Sequence, residues 1–139
     1  MLKSEPIMLI EDNQEYASDI LGILGSLYEK NKWFHLQTVS DALEYFENNT
    51  ILPQLIILGF DCGNPDNIDF VKKIKANKIL RKIPIIIMAS SNNSNDVLEC
   101  FNHGVAGYIV KSHDTSELAD MINTIMNYWN LCELPPLKG

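Results

Sequence analysis

Glu11, Asp12, Asp61 and Lys111 are the residues whose types invite chemistry. Adjacent carboxylates hold a hard divalent ion such as Mg2+ through oxygen, and a lysine beside them neutralises an anionic group. A phosphoryl group fits between such a metal and such a lysine, because its transfer rests mostly on positioning and charge compensation. Each residue also has a plainer reading. Acids after a strand sit well in the first turn of a helix, where the dipole favours them. The lysine can be half of an ion pair. Asp61, in the loop with Gly63, Asn64 and Pro65, has the surroundings of a turn residue. His35, His103 and His113 are scattered, and none reads as a metal ligand. Cys62 lies near the same loop without an evident base, and a thiol needs one, or a lowered pKa, to act as a nucleophile. The segment PQLIILGFDCG sharpens the question: an apolar run, Leu55 to Leu58, leads to Gly59, which has no side chain, and Asp61 follows.

These residues need a frame that brings them together. The chain has 139 residues, 46% of them hydrophobic and 21% charged, which suits a single globular domain spanning 1–139, with a core from about 5 to 131 and a short tail at 132–139. A net charge of −7 repels phosphate backbones and argues against nucleic-acid binding. The three cysteines, Cys62, Cys100 and Cys132, have neither metal-ligand spacing nor a disulfide pattern. No apolar run approaches a membrane span or a signal-peptide core, so the expected setting is cytoplasmic, without a membrane partner.

Short apolar runs alternate with amphipathic stretches. Strands are expected at Ile7–Ile10, Phe34–Val39, from Leu55, at Ile85–Met88 and at Gly107–Val110. Helices are expected in QEYASDILGILGSLYEK, after Ser40 as cap, in IDFVKKIK, after Ser94 as cap with Gly104 ending it, and after Asp114. In the last, Asp114 and Glu117 have capping-box spacing, and Leu118, Met121, Ile122, Ile125, Met126 and Trp129 form one stripe. Continuous apolar strands between helices imply an α/β fold, a doubly wound parallel sheet covered on both faces. Ligands in such folds bind at the carboxyl ends of the strands. That edge gathers Glu11 to Asn13, Gly59 to Asp61, Ala89 to Ser91, and Lys111 to His113.

With the residues so placed, the chain resembles the receiver domain of two-component response regulators over nearly its whole length. MLIEDN carries the acidic pair, PQLIIL precedes the phosphoacceptor position, and NIDFVKKIK opens the third helix. IPIIIMAS gives strand 4, and GVAGYIVKS gives strand 5 with its lysine. KIPIIIMASSNNSNDVLECFNHGVAGYIVKS and MNYWNLCELP are similar to the single-domain receivers associated with phytochrome-type kinases. The resemblance implies a flavodoxin-like (CheY-like) sheet of five strands in the order 2-1-3-4-5 with five helices. It also implies a phosphorelay in which a histidine kinase phosphorylates an aspartate after strand 3. The acidic pair holds Mg2+, a Thr or Ser after strand 4 and the strand 5 lysine contact the phosphoryl group, and an aromatic on strand 5 switches rotamer.

Several positions depart from that pattern. The phosphoacceptor position falls on Gly59 and the Thr/Ser position on Ala89, while strand alternation points Ser90 elsewhere. Ser112 replaces the usual proline after the lysine, and Asn67 the usual glycine. Glu11, Asp12, Lys111 and the switch aromatic Tyr108 remain. The expectation is a non-enzymatic pseudo-receiver in which Mg2+ is weak or absent and Lys111 pairs with Asp12 or Glu11. It would act through protein contacts with a histidine kinase, another receiver or a second copy. The implied face is helix 4–strand 5–helix 5, with Phe101, Asn102, Tyr108, Asp120, Tyr128 and Trp129. Two alternatives stand beside it. Asp61 accepts the phosphoryl group, or the emptied pocket binds a small ligand.

Overall fold

In a computed structural model, residues 5–136 are described. Five parallel strands form one sheet in the order β2-β1-β3-β4-β5. The strands are β1 (Ile7–Ile10), β2 (Trp33–Leu36), β3 (Leu55–Phe60), β4 (Ile85–Ala89) and β5 (Gly107–Val110). The helices between and after them are α1 (Gln14–Leu27), α2 (Val39–Asn48), α3 (Pro65–Ala76), α4 (Ser94–Asn102) and α5 (Thr115–Leu131). This is the flavodoxin-like receiver architecture that the sequence implied.

The period of two along each strand builds two cores. Ile7, Leu9, Leu55, Ile57, Ile86 and Met88 point to one side, where Tyr16, Ile20 and Leu24 of α1 and the α5 stripe cover them. Met8, Ile10, Ile56, Leu58, Ile85 and Ile87 point to the other, beneath Ala42 of α2, Phe70, Val71 and Ile74 of α3, and Cys100 of α4. The central strands are buried on both faces, which is why they lack polar alternation.

Several boundaries differ from the sequence reading. Thr38, not Ser40, caps α2, its hydroxyl accepting from the Asp41 amide. The helix therefore starts at Val39, and β2 stops at Leu36 rather than running to Val39. Asn93 caps α4 in place of Ser94. In both cases a polar residue one or two positions earlier takes the cap, since Asn and Thr side chains also accept from the first free amides. Asp114 caps α5 as expected, its Oδ1 accepting from the Glu117 amide at 2.9 Å. β3 runs on through Gly59 and Phe60, which pair with Met88 and Ala89, so Gly59 lies inside a strand rather than beyond it.

Gly104 adopts a φ of +89°, the only positive value among the described residues. An added Cβ there would meet the Lys75 Cδ at an ordinary 3.7 Å. The cost of Gly104→Ala is then backbone strain alone, and a loss of about 1 kcal/mol in urea unfolding is expected.

Candidate functional site

Parallel strands deliver their following loops to one edge, and the retained residues meet there. Glu11 follows β1, and its backbone amide donates to the Leu36 carbonyl of β2 at 3.1 Å. His35 Nε2 lies 2.8 Å from the Glu11 carbonyl. A carbonyl only accepts, so the imidazole donates from that nitrogen. His35 thus anchors the Glu11 backbone. Lys111 follows β5, with its amide donating to the Ala89 carbonyl at 2.8 Å.

The Glu11 side chain turns inward. Its Oε1 lies 2.7 Å from Lys111 Nζ, and the side chains are only 1% and 12% exposed. Among the described residues that ammonium is the one partner of Oε1, while Oε2 accepts from the Asn13 amide at 3.0 Å. The Lys111 ammonium also stands 4.8 Å from the centre of the Tyr16 ring, a cation–π contact. The ring is in turn edge-packed by His113, at 5.7 Å between ring centres. Burial pushes the Tyr16 phenol above its usual pKa, so the ring stays neutral.

What makes room for this arrangement is Gly59. A Cβ built there would lie 2.3 Å from Glu11 Oε1 and 2.7 Å from its carboxyl carbon. No real side chain tolerates such contacts. The Glu11 carboxylate therefore occupies the space into which a side chain at position 59 would project. Sequence reasoning left Asp12 or Glu11 as the partner of Lys111; the structure selects Glu11, and Asp12 remains exposed at the rim.

Beside the ion pair lies a cavity of about 220 Å³ whose walls include Asp12, Gly59, Asp61, Asn67, Ser90 and Lys111. Ser90 was expected to point away. It lines the cavity because β4 ends at Ala89, and strand alternation stops applying one residue later. Ala89 itself is fully buried in the core. Asp61 is exposed, and its Oδ1 accepts from the Gly63 amide at 2.9 Å, an Asx-type turn. Its own amide donates to Asn67 Oδ1 at 2.7 Å. Asn67, 8% exposed, thus fastens the β3–α3 loop, a role the sequence did not disclose.

Tyr108 points into this neighbourhood. Its hydroxyl donates to the Ser91 carbonyl at 2.7 Å and lies 3.8 Å from Cys62 Sγ. Ser91 Oγ donates to Asp96 at 2.6 Å, which pins the loop between β4 and α4. Burial pushes the Tyr108 phenol and the Cys62 thiol above their ordinary values. Cys62 therefore lacks the thiolate character of a nucleophile. Burial likewise raises Cys100 to about 11. A thiol whose folded pKa is raised stabilises the fold below its unfolded value of 9, and that contribution fades as pH climbs toward 11. Stability to urea is expected to fall across that interval, and Cys100→Ala to flatten the fall.

Of the expected docking face, Phe101 and Tyr128 are 48% and 65% exposed, and Asn102 and Asp120 are also exposed. Trp129 is a correction. It is 6% exposed and packs in the core against α1, because it continues the buried α5 stripe. Among the described residues, no group of three or more His, Cys, Asp or Glu is placed to hold a metal. With Glu11 turned onto Lys111 and no side chain at position 59, Asp12 and Asp61 are the carboxylates that line the cavity, a reduced ligand set for a hard ion such as Mg2+.

The sequence profile of the response regulator receiver domain matches residues 7–123. The chain belongs to the response regulator receiver family. Among this receiver's relatives, the response regulator Rcp1 of Synechocystis is 24% identical over 88% of this chain and 87% of its own length. The probable methanogenesis regulatory protein FilR2 of Methanothrix harundinacea is 24% identical over 88% of this chain and 82% of its own length. The fold superposes on the phosphorylated cyanobacterial phytochrome response regulator RcpA with a TM-score of 0.84 at 24% identity, over 96% of this chain and 100% of that one. It superposes on the Mn2+-bound form of Rcp1 with a TM-score of 0.82 at 23% identity, over 95% and 99%. This receiver is thus a response regulator of the two-component type. None of its helices, among the described residues, is long and apolar enough to cross a membrane.

Proposed function

We propose that this receiver is a pseudo-receiver that works by protein–protein contact without being phosphorylated. The observation that carries the proposal is the Glu11 carboxylate in the side-chain space of Gly59, closed onto Lys111 at 2.7 Å. On this reading Gly59 stands at the phosphoacceptor position and supplies no nucleophile. The lysine that would contact a phosphoryl group is already neutralised. The charge arrangement usually made by a ligand is built into the chain, and the loop carrying Ser91 is held by the Tyr108 hydroxyl of β5 and by Asp96. Docking then involves the α4–β5–α5 face, with Phe101, Tyr108 and Asp120, and it requires neither catalysis nor a metal. A cytoplasmic location and a histidine kinase, another receiver or a second copy as partner fit this role.

The competing reading makes Asp61 the phosphoacceptor, and its place on the cavity wall keeps it in view. Against it, one Asp61 oxygen is held by the Gly63 amide, and attack requires a near-contact approach of about 3–3.5 Å with good alignment. Incubation with acetyl phosphate and Mg2+ followed by intact-mass measurement separates the two. The parent is expected to gain no phosphoryl mass. A labelled parent that becomes unlabelled as Asp61→Asn would establish the competing reading.

A further inference from the structure

The cations of this chain are not evenly spread. Residues 70–95 hold Lys72, Lys73, Lys75, Lys78, Arg81 and Lys82, six of its eleven lysines and arginines, and none of its eighteen acids. They lie on the C-terminal half of α3 and the turn Leu80–Lys82 that leads into β4. That places them at the sheet edge opposite the cavity. Two are used internally: Lys75 Nζ donates to the Arg81 and Ile83 carbonyls at 3.2 and 3.3 Å, and Lys82 Nζ to the Pro136 carbonyl at 3.2 Å. Lys72, Lys73, Lys78 and Arg81 are exposed, and none pairs with an acid among the described residues. The dipole of α3 favours cations in its last turn, but Lys78 and Arg81 lie beyond the helix and owe nothing to it. Ile79, 38% exposed, sits between them.

We propose that this end of α3 and the following turn form a docking site for an acidic stretch of a partner protein. The patch is narrow. α2, which packs against α3, carries Glu44 and Glu47 in the half that ends at the same sheet edge. A membrane plane or a duplex laid along that edge would bring its negative charge against those acids as well as the cations. A slender acidic segment reaches the cations and Ile79 while avoiding them. This site is separate from the cavity and holds whether or not the receiver accepts a phosphoryl group.

The test uses the full chain and three probes: a fluorescein-labelled Glu-rich peptide with spaced leucines, duplex DNA of similar charge, and phosphatidylserine vesicles. The peptide is expected to bind, and to bind about tenfold more weakly to the Lys72→Glu/Lys73→Glu/Arg81→Glu variant. Lys30→Glu/Lys32→Glu is expected to leave binding unchanged. Amide shifts on the parent, which do not depend on the variant folding, are expected to cluster at residues 72–82. No peptide binding, shifts elsewhere, an unaffected triple variant, or tighter binding of DNA or vesicles than of the peptide would each overturn the proposal.

Discussion

Lys111→Met is expected to destabilise the domain by roughly 3–5 kcal/mol in urea unfolding, the cost of leaving one member of a buried pair alone. The reason is the position of Glu11. Its side chain is 1% exposed, and among the described residues its Oε1 has no partner besides the Lys111 ammonium. Removing that cation strands a carboxylate where water does not reach it. The double variant Glu11→Leu/Lys111→Met removes both charges and is expected to recover much of the loss, since apolar replacements of buried pairs are often close to neutral. A loss under about 1 kcal/mol for Lys111→Met would mean that the pair behaves like an exposed one.

Substitution of Gly59 is expected to be the second large effect, in graded form. Gly59→Ala places a Cβ 2.3 Å from Glu11 Oε1, so the carboxylate must swing out of its pocket. Overpacking of this kind costs roughly 1–3 kcal/mol. Gly59→Asp adds a second carboxylate facing the same lysine, and its cost in the absence of divalent ions is expected to exceed that of Gly59→Ala. Added Mg2+ is expected to raise the melting temperature of Gly59→Asp and leave the parent and Gly59→Ala unmoved, because affinity for the ion follows ligand number and charge. Equal stability of all three proteins would show that Glu11 does not fill the space above Gly59.

The architecture was legible because the strands are short apolar runs and the helices have clear stripes; both signals survive without knowledge of tertiary contacts. Helix starts were less so. Thr38 and Asn93 displaced Ser40 and Ser94 as caps, and nothing local distinguishes neighbouring residues that can all accept from an amide. At the site, the absence of a side chain at Gly59 was plain in the sequence, and so was the choice of Lys111 as a counter-charge. Which acid it would choose was not. That depends on the space left by Gly59 and on the Tyr16 ring beside the ammonium, both contacts between separate elements, and on the Asn13 amide that donates to Oε2. Ser90 escaped because a rule of strand alternation was carried past the end of β4. Trp129 was ambiguous for another reason: a residue that ends a buried stripe can face either way, and packing against α1 decided it.

The most direct measurement is the NMR signal of the Lys111 ammonium near neutral pH. Exposed lysine ammonium protons exchange with water too quickly to be seen there. With Lys111 12% exposed and bonded to Glu11, its ammonium is expected to give a resolved, slowly exchanging signal. That signal should vanish in Glu11→Gln and stay put when Mg2+ and acetyl phosphate are added. A Lys111 signal that exchanges like those of surface lysines, or one that moves on addition of Mg2+ and acetyl phosphate to the parent, would contradict a site closed by its own ion pair.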